Sequence, residues 1–212
     1  ADYLVNTPDF FERHASLLAT VQLTHPQSHR AVGLQERQAQ MLRDKIKGLE
    51  HRIMDMIRHG NENMILTDKL HRWSCELLVT PHDQLAESAL FNIRELFQVP
   101  QLALRLWSLD PAHAAAPYAQ GVTEAVQALA TSLDTPYVGP NSGYEAVQWL
   151  DEPTQAASVA LLALRAAPGQ PAFGLMVLAS PDAQRFNHQM GTDLLERLAE
   201  LAGAALSVLR AP

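Results

Sequence analysis

The sequence predicts an α+β protein: an antiparallel sheet covered by helices on both faces and preceded by a long helical arm. Three observations predict it. From about Gly33 to Leu70 there is no proline, and Glu, Gln, Arg, Lys, Leu, Met and Ile dominate, which is the composition of a long helix. After Val99-Pro100 the period changes, and Leu102 to Leu109, Ser158 to Arg165 and Phe173 to Ala179 read as strands that are nearly apolar throughout. Strands of that kind are covered on both faces. The order is then helix, strand, helix, short strands, hairpin, helix, which places helices on the flanks of a mainly antiparallel sheet.

Taken along the chain, Tyr3 to Leu18 reads as two short helices, with Thr7 as a cap and Pro8 at the first helical position. Phe10, Phe11, Leu17 and Leu18 give this segment an apolar side. Thr24 to His29 reads as a loop. On the long helix, Leu42, Ile46, Leu49, Ile53 and Met56 follow the 4-3-4-3 spacing of a coiled-coil seam. Continued in register, that seam reaches Gly60, Asn63 and Thr67, which are poor seam residues. The stripe restarts instead at Ile57 and Met64, a four-residue stutter centred on His59-Gly60-Asn61. A second copy of the same helix would cover the seam and make a homodimer; the alternative is a helix folded back on its own domain.

Leu70 to Phe97 reads as a further helix that restarts at Thr80-Pro81, with Thr80 as the cap. Ala112 to Gly121 is an Ala/Pro-rich loop, Thr123 to Leu133 a helix, Pro136 to Pro140 a short extended piece, and Tyr144 to Leu150 a short helix or strand. Ala166 to Pro171 is a hairpin loop between the two strongest strands. Asn187 to Leu209 is a final amphipathic helix.

Charge divides the chain. Residues 1–74 hold 10 Lys+Arg against 9 Asp+Glu, whereas residues 75–212 hold 6 Arg, no Lys and 14 Asp+Glu. A domain boundary near residue 75 follows, giving an arm over 1–74 and a body over 75–212. An acidic, lysine-free body does not suit direct binding of nucleic acid, which needs clustered cations. No apolar run approaches the roughly 20 residues of a membrane span; the longest, Ala156 to Leu164, contains Ser158. One cysteine in 212 residues rules out an internal disulfide framework. With no basic-then-apolar leader at Ala1-Asp2-Tyr3, the expected location is cytoplasmic.

The motifs narrow the reading further. Tyr3-Leu4, Pro8-Asp9-Phe10-Phe11, His14, Leu17-Leu18, Glu36-Arg37-Gln38, Leu42-Arg43 and Asn61-Glu62 resemble a bacterial family known as domain of unknown function 484. The resemblance continues through Leu104-Arg105-Leu106-Trp107, Pro136-Tyr137-x-Gly139, Ser180-Pro181-Asp182-x-x-Arg185-Phe186 and Met190-Gly191-Thr192-Asp193-x-Leu195. It implies a GAF-like fold, with the helix before the first strand and the last helix on one sheet face and the middle helix and loops closing a pocket on the other. It implies no established enzymatic activity. Members of the family are often encoded beside a site-specific tyrosine recombinase, which makes that enzyme a candidate protein partner. The Asn-Lys-Phe-Asp-Glu signature of cyclic-nucleotide GAF domains is absent, so cyclic nucleotides are not the expected ligand.

Arg105, in mid-strand between Leu104 and Leu106, has two readings. It is an anion clamp whose fork binds a carboxylate or phosphate, or one half of an internal ion pair. Trp107, Tyr118, Tyr137, Tyr144 and Trp149 are candidate walls of the same ligand pocket, and equally candidate core residues. Pro26 breaks the alignment of His25 with His29, and neither this pair nor His51 with His59 has a nearby third ligand, so no metal site is expected. No cofactor motif is present either: the sequence has no phosphate loop, nucleophile elbow or His-Glu-x-x-His. Cys75 reads as a buried, inert thiol. Ser180 to Phe186 reads as a structural turn, with Phe186 plugging the core and Asn187 or Thr192 capping the last helix. The expected function is a sensory or regulatory module that dimerises through the long helix and binds a small, anionic ligand. The rival is an interaction scaffold whose pocket is filled by its own side chains. No arrangement of nucleophile, base and orienting group points to an enzyme.

Overall fold

The computed structural model describes residues 7, 9–16, 22–24, 31–188 and 190–211. The readings at Tyr3, Leu4, Pro8, Leu17, Leu18, His25, Pro26 and His29 lie outside them. The chain divides into two compact units, Ala1–Glu62 and Asn63–Pro212.

Among the described residues the first element of this unit is a one-turn helix α1 (Asp9–Arg13), where the Phe10 amide donates to the Thr7 carbonyl at 3.0 Å. The Phe10 and His14 rings meet at a tilt of 45°, their centroids 4.8 Å apart. A two-stranded antiparallel ribbon follows, β1 (Gln22–Thr24) with β2 (Ala31–Gly33). The sequence reading had a loop and a helix start there; three-residue strands carry too little periodicity to be seen. Helix α2 (Leu34–Val79) then runs unbroken for 46 residues, through Gly60 and across the boundary between the units.

That continuity changes two expectations. The helix does not end near Leu70, and residue 75 falls inside it. Leu70, Trp73 and Leu77 are buried in the core of the second unit, and Trp73 Nε1 donates to the Ala89 carbonyl at 3.3 Å. Composition could not find this boundary, because one helix serves both units. Thr80 does not cap the next helix. Its hydroxyl donates back to the Glu76 carbonyl at 2.7 Å, and Pro81 stops α2. Helix α3 (Leu85–Phe97) follows and ends on Gln98 in the left-handed conformation.

The sheet has four antiparallel strands in the order β3-β6-β5-β4, with β3 (Gln101–Leu106), β4 (Tyr137–Pro140), β5 (Ser158–Leu164) and β6 (Gly174–Ser180). Between β3 and β4 lie two 3₁₀ turns, Pro111–His113 and Pro117–Ala119, and helix α4 (Glu124–Ser132), which Thr123 caps by accepting from the Val126 amide. Between β4 and β5 the segment expected as a short helix or strand is a short 3₁₀ helix, Glu145–Trp149. The last helix, α5 (Asp193–Leu206), starts later than Asn187.

Side-chain alternation sorts the core into two layers. Leu102, Leu104, Leu106, Ala160, Leu162, Leu164, Met176 and Leu178 face α3, α5 and the end of α2. Ala103, Val159, Leu161, Leu175, Val177 and Ala179 face α4 and the 145–149 turn. Both faces are covered, as the apolar strands require. The α+β arrangement that the sequence predicts, an antiparallel sheet flanked by helices, is the arrangement of the body.

The Ser180–Phe186 segment is structural. Buried Ser158 donates to the Asp182 carbonyl at 2.6 Å and accepts from the Phe186 amide at 3.3 Å. Asp182 accepts from the Gln184 amide, and Arg185 donates to the Phe97 carbonyl at 2.8 Å at the end of α3. Phe186 is buried in the first layer. Thr192 precedes α5 but gives its hydroxyl to Glu196 at 2.6 Å rather than to a backbone amide. Ser158→Ala removes a hydroxyl that holds two buried backbone groups, so a loss of about 1–3 kcal/mol is expected in urea unfolding.

Candidate functional site

Arg105 lies on β3 opposite Leu175, a residue of the second layer. Its parity puts the guanidinium on the same sheet face as Ala103, Leu161 and Val177. One nitrogen donates to the Leu104 carbonyl at 2.9 Å, while Nε is buried without a partner. The guanidinium carbon stands 5.5 Å from the Trp149 ring centroid, a cation–π distance. Among the described residues no ion pair includes Arg105. Burial lowers its pKa from the ordinary guanidinium value, but the group stays charged. The internal carboxylate that one reading supplied is not paired with it among the described residues.

The aromatic candidates separate into groups. Trp149 stacks with Arg105 and donates its Nε1 to the Gly121 carbonyl at 3.2 Å. Tyr137, on β4, and Tyr144 meet edge to face at 5.0 Å. Burial, followed by the hydrogen bond with Tyr137, pushes the Tyr144 phenol up to about 12. β3 and β4 are opposite edges of a four-stranded sheet, and three strand spacings are roughly 14 Å. The Tyr137–Tyr144 pair and the Arg105–Trp149 pair therefore occupy opposite margins of one face.

Trp107 lies just beyond β3 and donates to the Ala172 carbonyl at 2.9 Å. It lines an open groove of about 660 Å³ with Ser108, Glu124, Gln127 and Pro171. Tyr118 is packed against the first layer rather than the second, and its hydroxyl meets His113 Nδ1 at 3.1 Å. Burial, then the charge of Glu87, raises its pKa. Tyr118 thus shares no wall with Arg105.

The sequence reading missed a second groove, of about 720 Å³, at the β5–β6 hairpin end of the sheet. Asp134, Arg165, Pro168, Glu196, Ala199 and Glu200 are among its lining residues. Arg165, just past the end of β5, donates to the Ala130 and Thr131 carbonyls at 3.3 and 3.1 Å and so closes the C-terminus of α4. The one legible signal was the spacing of Glu196, Ala199 and Glu200 on one helix side. Gln101 was also missed. It is buried and exchanges two hydrogen bonds with the Glu152 backbone, at 3.1 and 3.0 Å. Cys75 is exposed rather than buried, with its sulfur 3.8 Å from His71 Nε2.

Among the described residues no group of three or more His, Cys, Asp or Glu could hold a metal ion. Among them, too, no helix is long and apolar enough to cross a membrane.

A four-stranded antiparallel sheet covered by helices on both faces makes the body an α+β domain. The chain belongs to the protein family of unknown function DUF484, whose model matches residues 1–207. It is 27% identical to the uncharacterized protein YigA of Escherichia coli K12 over 223 aligned positions, covering 93% of this chain and 85% of that protein. The YigA protein of Shigella flexneri matches equally. Among solved structures it is similar to the GAF domain of a protein described as a sensor histidine kinase from Pseudomonas syringae pv. tomato. That likeness has 18% identity and a TM-score of 0.45, covering 71% of this chain and 91% of that one.

Proposed function

We propose that the protein is a non-enzymatic sensory or regulatory module of the cytoplasm that dimerises through the long helix and binds a small anion at Arg105. The observation that carries the ligand reading is the Arg105 guanidinium, set into a sheet with a buried, unpartnered Nε and, among the described residues, no ion pair to a carboxylate. The guanidinium is half-buried, a cation drawn partly out of water is ordinarily paired, and an anionic ligand would supply the missing partner. The pairing reading rests on the seam: Leu42, Ile46, Leu49, Ile53 and Met56 are all exposed in the single chain, and an apolar stripe of that length seeks cover.

The test is thermal unfolding against a panel of carboxylates and phosphates. A compound that raises the midpoint for the native chain and not for Arg105→Ala supports the reading; no shift with any compound sinks it. In the absence of ligand, Arg105→Met should leave stability unchanged within about 1 kcal/mol or raise it, since an apolar isostere loses no ion pair. An arginine serving a hidden structural pair would instead cost about 3–5 kcal/mol on truncation.

A second reading is favoured by one observation: neither of the two grooves has Arg105 or Trp149 among its lining residues. On that reading the protein is an interaction scaffold, its second layer filled by Val126, Ala130, Ala146, Val147 and Leu150. The recombinase named by the family association is the partner to try. Pull-down of that recombinase by full-length protein supports the scaffold, and a clean negative excludes this partner.

A further inference from the structure

We infer that the two copies pair through α2 in parallel and in register, with Lys45 of each chain meeting Glu50 of the other. The inference rests on the dimer reading and commits it to one geometry. The seam spacing fixes the heptad. Ile46 and Ile53 take the a positions, and Leu42, Leu49 and Met56 take the d positions. β-branched residues at a with leucine at d are the combination that favours a parallel two-stranded coil over trimers and tetramers.

The flanking charges agree. In this register Lys45 is a g residue and Glu50 the following e residue, and in a parallel coil g reaches e of the partner chain. Two such attractive contacts form, one on each side. The neighbouring g-to-e contacts, Gln38 to Arg43 and Arg52 to Ile57, set no like charges together. Within one chain Lys45 and Glu50 are five residues apart and lie on different sides of the helix. Both are exposed, and among the described residues neither makes an ion pair. A second copy gives both the apolar stripe and these two charges a partner.

The alignment also has a consequence beyond the stutter. Ile57, Met64, His71 and Leu78 recur at seven-residue intervals, and all four are exposed on α2, Leu78 at 86%. A parallel pair therefore carries the two helices side by side toward the segment anchored by Trp73, whereas an antiparallel pair carries them apart.

The test uses the full chain with Cys75→Ser, to which Ile46→Cys or Ile53→Cys is added singly. These positions are about 10 Å apart along the helix. Sedimentation equilibrium first establishes the dimer; a monomer there overturns the dimer reading, and this inference with it. Given a dimer, mild oxidation should convert most of both variants to covalent dimer, because a disulfide needs Cα atoms within about 7 Å. Antiparallel helices can set at most one of these positions opposite itself, so a dimer in which one or neither cross-links overturns the parallel register alone. Lys45→Glu should weaken the dimer by about threefold to tenfold, and Lys45→Glu with Glu50→Lys should restore it. Failure of the charge swap to restore it removes the assigned ion pair.

Discussion

Replacing Gly203 with alanine should destabilise the body by about 2 kcal/mol, although the same change in an exposed helix stabilises by about 1 kcal/mol. Gly203 is buried in α5 where that helix crosses the end of β5. A Cβ there would collide with the Arg165 carbonyl oxygen and would also stand 2.9 Å from the Arg165 nitrogen and 3.1 Å from its carbonyl carbon. These are backbone atoms at the end of a sheet strand, not the tip of a side chain that could swing aside. Relief must come from lifting α5 off Leu164 and Leu162, and overpacking of this kind costs typically 1–3 kcal/mol. Valine adds two methyl groups at the same place and should cost more. The urea midpoint should fall with the slope unchanged. A rise for Gly203→Ala would mean that helix propensity outweighs the contact.

Trp73→Ala should cost about 3–5 kcal/mol, the usual range for removing a large buried aromatic. Trp73 is 0% exposed, sits between α2 and α3, and spends its indole nitrogen on the Ala89 carbonyl. The last turns of the long helix are therefore part of the body's core. Met54, on the same helix but 65% exposed, makes the contrast: Met54→Ala should stay within about 0.5 kcal/mol. Unfolding followed by near-ultraviolet circular dichroism measures both. Equal costs for the two would contradict the placement of the boundary between Glu62 and Asn63.

Much of the fold is legible in the chain because its strong signals are long. A run of 54 residues between Pro26 and Pro81 without proline makes a helix, two apolar runs around Pro168-Gly169 make a hairpin, and leucines at helical spacing from Leu194 to Leu209 locate the last helix. Boundaries are less legible. Thr80-Pro81 looks like the start of a helix and is the end of one, because Thr can bond either forward to an amide or back to a carbonyl.

The site is the least legible part. Period-2 alternation puts Arg105 on a definite face but does not say what it meets. The five aromatics share a composition but not a place: Tyr118 lies in the other layer, and Tyr137 with Tyr144 at the far edge of the sheet. Pairings such as Arg165 with the α4 carbonyls join residues 34 or 35 apart, and no local pattern reports them.

Native mass spectrometry of the mildly purified full chain tests the central claim most directly. The account predicts a species at twice 23.4 kDa that carries one anionic small molecule per chain and loses it in Arg105→Ala. A bare chain, with Arg105→Ala indistinguishable from it, would contradict ligand sensing by the body.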